Sequence, residues 1–229
     1  MASAKYGNII VDMRGKINGN VYSKNKGGAY VRVRVKPSNP RSSAQSAVRG
    51  AFTTNSQAWR ALTDNQRASW LQGAINFQRS NRVGDKHILS GNALYQSLNK
   101  NLSDVGIAAI STCPAPADVT PVTVATAVAS TGGQTLVITL GGAVPTGTSI
   151  KVFASETTSA GVNSVGTKLR QIASFAAAHA AALTLTTPYL AKFGTVGAAG
   201  SKIFYKIVPV NAVTGQAGAA VSNVIVIGA

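Results

Sequence analysis

The stretch Tyr30-Val31-Arg32-Val33-Arg34-Val35-Lys36 runs directly into Pro37-Ser38-Asn39-Pro40-Arg41, and these twelve residues decide the fold that we predict for the N-terminal half. Valine alternates with basic residues in 30–36, which is the period of a β-strand. We therefore predict a strand with the valines on a core face and the basic side chains on a contact face. Asn39 before Pro40 predicts the start of a helix, because the first helical turn tolerates proline and asparagine is a preferred N-cap.

Turn residues divide the segment that precedes this strand. Asn18-Gly19 and Gly27-Gly28 are typical of tight hairpin turns, because these residues accept positive φ at low cost. The sequence therefore predicts a basic N-terminal β-hairpin, or an arm that becomes a strand against a partner. A hairpin of this size is marginally stable by itself in water.

Three helices are predicted after Pro40. Thr63 to Gln66 has the spacing of a capping box, so the second helix begins there, and Ser90 is the N-cap expected for the third, which ends at Gly106. We expect both tryptophans to anchor a core. The apolar faces of the three helices are predicted to carry Val48, Phe52 and Trp59; then Trp70, Ala74 and Phe77; then Leu94, Leu98, Leu102 and Val105.

From residue 119 onward the apolar pattern has a period of two. Strands are predicted at 135–140, 149–154, 182–186, 203–210 and 221–227. Residues 171–182 are rich in alanine and fit either a short helix or a strand. Five to seven short strands within about 110 residues predict an immunoglobulin-like or fibronectin-like sandwich.

The predicted fold class is therefore α+β. A basic β-hairpin and a three-helix region form one domain at 1–112, and an all-β sandwich forms a second at 118–229. The segment Cys113-Pro114-Ala115-Pro116-Ala117 joins them. A single cysteine excludes an intrachain disulfide and any site built from several cysteines.

The charge of the chain is strongly positive. It has 22 Lys and Arg against 6 Asp and Glu, a net charge of +16, and residues 1–110 hold 16 of the basic residues and 4 of the acidic ones. Such a field attracts nucleic acid, anionic membranes or acidic proteins, although a merely solvated surface has the same composition. The candidate partner-binding residues are Arg14, Lys16, Lys24, Lys26, Arg32, Arg34, Lys36, Arg41 and Arg49.

No catalytic pattern is found. His87 and His179 are far apart in the chain, the acidic residues are scattered, and the paired glycines match no phosphate-binding loop. We predict that the chain is not an enzyme and has no catalytic residues, cofactor or metal. No apolar run has the length of a membrane span, so we expect a protein that is made in the cytoplasm and has no membrane partner.

Two segments resemble a known class of proteins. The run from Val33 through Pro37-Ser38-Asn39-Pro40-Arg41 to Phe52, and the run Ala58-Trp59-Arg60-Ala61-Leu62-Thr63-Asp64-Asn65-Gln66-Arg67-Ala68-Ser69-Trp70, are similar to the N-terminal region of virion structural proteins of tailed bacteriophages. The resemblance is sharp over about residues 14–75. It implies a capsid auxiliary or decoration protein of the virion, often with a C-terminal immunoglobulin-like domain, and it implies no catalytic residues.

The partner expected from this resemblance is the major capsid protein or another virion protein, and self-association in the particle remains open. A tail or collar position is an alternative to the head. From a different class, a nucleic-acid-binding protein that uses the basic arm is the second hypothesis. A carbohydrate-binding sandwich is the third, and the scarcity of aromatic and acidic residues in the C-terminal half disfavours it.

Overall fold

The computed structural model describes residues 2–3, 7–8, 10–25, 28–80 and 86–229. The protein is α+β, as predicted, and its chain divides into two compact units, Met1–Ala47 and Val48–Ala229. The predicted boundary at 112–118 lies inside the second unit. Whether the two predicted domains fold independently stays a prediction.

The first unit contains one antiparallel sheet. Its strands are β1 (Ala2–Ser3), β2 (Gly15–Ile17), β3 (Asn20–Asn25) and β4 (Gly28–Val33), and their order across the sheet is β1-β4-β3-β2. Asn18 has φ 50°, which fits the tight turn predicted between β2 and β3. Gly27 lies outside the described residues, so the second predicted turn is described only in part.

The core face predicted for 30–36 is wrong. Strand β4 ends at Val33, and Val33 and Val35 are each 70% exposed. None of the described residues of 1–47 is buried, so these residues form no core of their own. The alternation thus separates valine from arginine along the strand, but it does not bury the valines.

Helix α1 (Ser43–Ala61) begins three residues later than predicted. Arg41 has φ 48°, a left-handed conformation that no helix contains, and the Ser42 hydroxyl accepts a hydrogen bond from the Gln45 amide at 3.3 Å. Ser42, and not Asn39, therefore supplies the capping oxygen. The predicted apolar stripe is also largely exposed, since Val48 is 51% and Phe52 48% exposed.

The other two predicted helices are present with their predicted caps. In α2 (Asp64–Gly73), Thr63 and Gln66 form both bonds of the capping box, and in α3 (Gly91–Asp104) the Ser90 hydroxyl accepts from the Ala93 amide. A 3-10 turn (Ala74–Phe77) follows α2, and the two-stranded ribbon β5 (Arg79–Ser80) and β6 (Lys86–His87) precedes α3.

The helices enclose a small aromatic core. Trp70 is fully buried, its indole N–H donates to the Ser111 carbonyl at 2.8 Å, and its ring meets Tyr95 edge to face at 5.2 Å. Trp59 is half-buried and packs on the other side of Tyr95. Trp70 is thus the core anchor that was predicted, whereas Trp59 lies at the margin of the core.

The C-terminal part holds seven strands and one helix. The strands are β7 (Val124–Ser130), β8 (Thr135–Leu140), β9 (Thr148–Ala154), β10 (Arg170–Phe175), β11 (Ala182–Thr184), β12 (Lys202–Asn211) and β13 (Val221–Val226), and α4 (Thr186–Phe193) follows β11. All five predicted strands are present. For the alanine-rich segment 171–182, where a short helix and a strand were both considered, the structure has the strand β10. Helix α4 was not predicted.

Two antiparallel sheets share one hydrophobic core in this part. Their strand orders are β10-β9-β12-β13 and β11-β8-β7. Inward-facing residues alternate along the strands, as in the burial pattern of β8, where Leu136, Ile138 and Leu140 are buried. Tyr189 of α4 closes the core, and its hydroxyl donates to the Ser155 carbonyl at 3.2 Å.

An ion pair joins α3 to the outer face of β9. The Lys151 ammonium donates to the Asn101 amide oxygen at 2.8 Å and lies 3.4 Å from the Asp104 carboxylate, which also pairs with Lys100. The side chain of Lys151 is 8% exposed and that of Asp104 19%. Burial lowers the pKa of the Lys151 ammonium, and the Asp104 carboxylate opposes part of that change.

A close backbone contact also stabilises this joint, by which we mean the contact between α3 and the sheet that carries Lys151. Gly215 has φ 73°, and a Cβ atom there would lie 2.5 Å from the Leu98 carbonyl oxygen. Asn101 donates to the Gly215 carbonyl at 2.8 Å, and Gln171 of β10 donates to the Asp104 carbonyl at 3.2 Å. Helix α3 is therefore fixed to the sheet by side chains at its C-terminal end.

We predict that Trp70→Ala lowers the free energy of unfolding by about 3–5 kcal/mol, because it empties the centre of the helical core and leaves the Ser111 carbonyl without its donor. Trp59→Ala should cost clearly less, and Phe52→Ala, a control at an exposed position, should cost little. Chemical denaturation of the full chain measures all three. An equal loss for Trp59 and Trp70 would contradict this ranking.

We predict that Asp104→Asn destabilises the chain by about 3 kcal/mol, because it leaves a buried ammonium without its carboxylate. The double variant Asp104→Asn/Lys151→Met should recover most of that loss, since no charge then stays buried unpaired. Asp118→Asn, at an exposed carboxylate, is the control. If its cost in a denaturant titration matches that of Asp104→Asn, the buried pair is not what stabilises the joint.

The pH dependence of Lys151 has a defined sign. Because burial lowers its pKa in the folded chain, the unfolded chain binds this proton more tightly. The free energy of unfolding of the wild type minus that of Lys151→Met should therefore rise as pH increases from the lowered pKa to the ordinary value of 10.5. Burial raises the pKa of Tyr95, Tyr189 and Tyr205, an effect of opposite sign that the subtraction removes. A flat difference would contradict the lowered pKa.

Candidate functional site

The predicted partner-binding residues are exposed wherever the structure describes them. This holds for Arg14, Lys16, Lys24, Arg32, Arg34, Lys36, Arg41 and Arg49, whereas Lys26 lies outside the described residues. Most of them belong to the unit Met1–Ala47, and Arg49 belongs to Val48–Ala229. The register of the sheet shows which basic residues of the first unit share a surface.

One face of the first sheet carries two of the predicted basic residues, Lys16 and Arg32, and we call it the basic face. Lys16 pairs with Val21, and Val21 pairs with Arg32, so the three side chains form one row across β2, β3 and β4. Directly opposite residues on neighbouring strands point to the same face. Lys16 and Arg32 therefore flank Val21 at a separation of about 10 Å between backbones, which is two strand spacings.

The opposite face of the sheet is mainly apolar. Ile17 pairs with Asn20 and Asn20 with Val33 in one row, and Tyr22 pairs with Val31 in the next. Ile17 is 58% and Val33 70% exposed, whereas Tyr22 and Val31 are half-buried. We call Ile17, Tyr22, Val31 and Val33 the apolar face. Lys24, opposite Ala29, lies on this side at the far end of the hairpin.

The remaining basic residues have individual surroundings. Arg14 forms an ion pair with Asp12 at 3.1 Å, and the side chain of Arg14 is 70% exposed. Arg34 extends the ladder by one bond, because its amide donates to the Gly19 carbonyl at 2.7 Å. Arg34 and Lys36 follow the end of β4, so the row of three basic side chains predicted on one strand face is wrong beyond Arg32.

The sequence patterns do not indicate the apolar face as a surface. The alternation in 30–36 predicts a core face for the valines, and Ile17 and Tyr22 belong to no predicted site. A signal was present, because a two-residue turn at Asn18-Gly19 pairs Ile17 with Asn20 and so fixes the register of both hairpin strands. Together with the pairing of Asn20 with Val33, that register places Ile17 in the same row as Val33.

The second unit has a separate polar cleft of about 470 Å³. It is lined by Glu156, Lys168, Arg170 and Phe193, together with several hydroxyl side chains. Three of these hydroxyls already have hydrogen-bond partners, since Ser155 donates to the Glu156 carbonyl, Thr157 contacts Tyr189 at 3.3 Å and Thr158 donates to the Lys202 carbonyl. The charged groups are exposed, and the cleft shows no buried polar atom directed at a ligand.

Other candidate groups have structural surroundings. The Cys113 thiol is half-buried beside Gly73, and burial raises its pKa. His179 meets Phe175 edge to face, with ring centroids 4.6 Å apart. Within the described ranges, no group of three or more His, Cys, Asp or Glu side chains could hold a metal ion.

Comparisons with known proteins give no relative. No family model matches the chain, and no curated protein or solved structure is significantly similar to it. In the part of the chain that the structure describes, no helix combines the length and the apolar character needed to cross a bilayer.

Proposed function

We propose that this chain is a non-enzymatic structural protein of a tailed-bacteriophage virion, of the capsid auxiliary or decoration type. Its basic unit Met1–Ala47 attaches it to the particle, with the major capsid protein or another virion protein as its partner. The seven-stranded part is an immunoglobulin-like sandwich that projects from the particle or packs against its neighbours.

The observation that carries this proposal is the contrast between the two units. Residues 48–229 contain two buried cores, whereas the described residues of 1–47 contribute none. A sheet with an apolar face is stabilised when that face is buried against another layer. A basic sheet without its own core is therefore well suited to be an attachment element that becomes ordered on a larger surface.

The charge of the first unit supports the same function. The first unit has nine basic residues and a single acidic residue, Asp12, in its sequence. Such a charge accelerates association with an acidic surface. A particle with many identical sites also allows modest contacts to give lasting attachment when neighbouring copies touch. The resemblance of residues 33–70 to phage virion proteins supplies the class of particle.

The architecture of the C-terminal part supports the immunoglobulin-like assignment. Seven antiparallel strands in two sheets around one core match the number and layering of that class. The domain lacks the Cys…Trp…Cys pattern of antibody domains, because its sequence from residue 118 onward contains neither cysteine nor tryptophan. The function of such a domain depends on the site it presents and not on its fold.

We predict that Arg32→Ser/Arg34→Ser/Lys36→Ser reduces the copy number of the chain in purified particles at physiological salt, because it removes three exposed charges from the attachment unit. Lys168→Ser/Arg170→Ser/Lys192→Ser removes the same charge from exposed positions of the second unit and serves as the matched control. Quantitative mass spectrometry of the particles measures occupancy.

Two results would contradict the proposal. Wild-type chain that is absent from the particles would overturn the virion assignment. Equal occupancy of both triple variants would remove the role of the basic unit. Tight binding of the wild type to duplex DNA, with a salt slope that falls by about 0.9 for each lost phosphate contact in the first variant, would favour the nucleic-acid alternative.

A further inference from the structure

We infer that the apolar face of the first sheet (Ile17, Tyr22, Val31 and Val33) is the surface that holds the chain on its partner, and that the partner is a protein with an apolar strip bordered by carboxylates. This inference rests on the proposed function and deepens it. It assigns lasting attachment to the side of the strand that sequence reasoning placed in a core, and it leaves the basic side chains to guide association.

The first step is the cost of leaving this face in water. Ile17 and Val33 lie in one row and are more than half exposed, and Tyr22 and Val31 adjoin them in the next row. Further exposed apolar side chains, Val11 at 90% and Val35 at 70%, lie on either side of the hairpin in the chain. Covering such side chains is favourable in proportion to the apolar area removed from water. A contiguous exposed apolar surface is typical of an interaction site.

The second step is the geometry of the sheet. The two faces carry different side chains, because Lys16, Val21 and Arg32 form one row and Ile17, Asn20 and Val33 form the neighbouring row on the other side. The basic side chains Lys16 and Arg32 are thus separated from Ile17 and Val33 by the thickness of a single sheet. A partner that covers the apolar face leaves Lys16 and Arg32 hydrated, so these charges avoid the desolvation cost of burial.

The third step identifies the occupant. A second copy of the chain would bring two units together that each carry nine basic residues and one acidic residue, so like charges would oppose that contact. Nucleic acid would engage the basic face through phosphates and would leave the apolar face uncovered. A protein surface with an apolar strip would cover the apolar face. Carboxylates around that strip would form ion pairs with Lys24 and with the basic residues at the edges of the sheet.

The experiment compares retention on purified virions of the phage that encodes this chain, using the full chain throughout. Ile17→Ser/Val33→Ser removes the exposed centre of the apolar face, and Ile17→Val/Val33→Ile is the conservative control. Lys16→Ser/Arg32→Ser removes charge from the other face. Particles are washed in about 1 M salt, where the Debye length falls to about 3 Å and exposed charge contacts are screened.

We expect the wild type, the conservative variant and Lys16→Ser/Arg32→Ser to resist the wash, whereas Ile17→Ser/Val33→Ser is lost by about tenfold or more, because apolar contacts are not screened. Hydrogen exchange of the β3 and β4 amides in the free chain should be equal for all four proteins. A variant with altered exchange is replaced by the corresponding single substitution, Val33→Ser, which lies at the exposed end of β4.

Several outcomes would overturn the inference. If the salt wash strips the wild type while Ile17→Ser/Val33→Ser behaves like it, the basic face is the contact, and the virion assignment still stands. Release of the wild type by nuclease treatment of opened particles would identify nucleic acid as the partner. A dimer of the free chain in analytical ultracentrifugation that Ile17→Ser/Val33→Ser dissociates would identify a second copy. Wild-type chain absent from the particles would overturn both the inference and the proposed function.

Discussion

The body formed by residues 48–229 depends on one buried cation. Lys151 is placed by β9 on the side of the sheet that faces away from the core shared by the two sheets, and an unpaired ammonium there would be costly. Asn101 and Asp104, one turn apart at the end of α3, supply its oxygen ligands. Leu94 and Leu98 of the same helix lie in the aromatic core. Helix α3 therefore contacts both the aromatic core and the sheet. Because Lys151 requires a carboxylate, its ion pair with Asp104 fixes the position of α3 on the sheet.

The first unit has the opposite character. Its strands are paired and its turn is well formed, yet none of its described residues is buried and its charge is almost entirely of one sign. In the second unit, by contrast, two acidic residues have local structural roles: Asp64 pairs with Arg67 at 3.3 Å in the first turn of α2, and Asp104 joins α3 to the sheet. Where acids are few, most cations remain available for contact with other molecules.

Local signals predicted the parts of the fold that local interactions determine. The capping box at Thr63, the cap at Ser90 and the five strands named from their period depend on neighbours within a few residues. The predicted start of α1 is wrong because Asn39-Pro40 and Ser42 both have the residue types of a helix start. Only the left-handed conformation of Arg41 selects Ser42 as the cap. Helix α4 was not predicted, because the sequence pattern predicts a single strand over 182–186. In the structure, β11 ends at Thr184. The Lys151 joint involves residues about fifty positions apart, and no local pattern reports it.

The candidate site shows why alternation alone does not locate a core. An alternation with a period of two residues places valine and arginine on opposite faces of a strand. The register of the sheet agrees with this for Val31, Arg32 and Val33. It says nothing about what covers either face, because burial depends on a second layer that the sequence of the strand does not contain. In a coreless unit the apolar side is the one for which water is the poorer environment. The side chains expected to stabilise the unit from within are then the ones best suited to stabilise it from outside, through a partner.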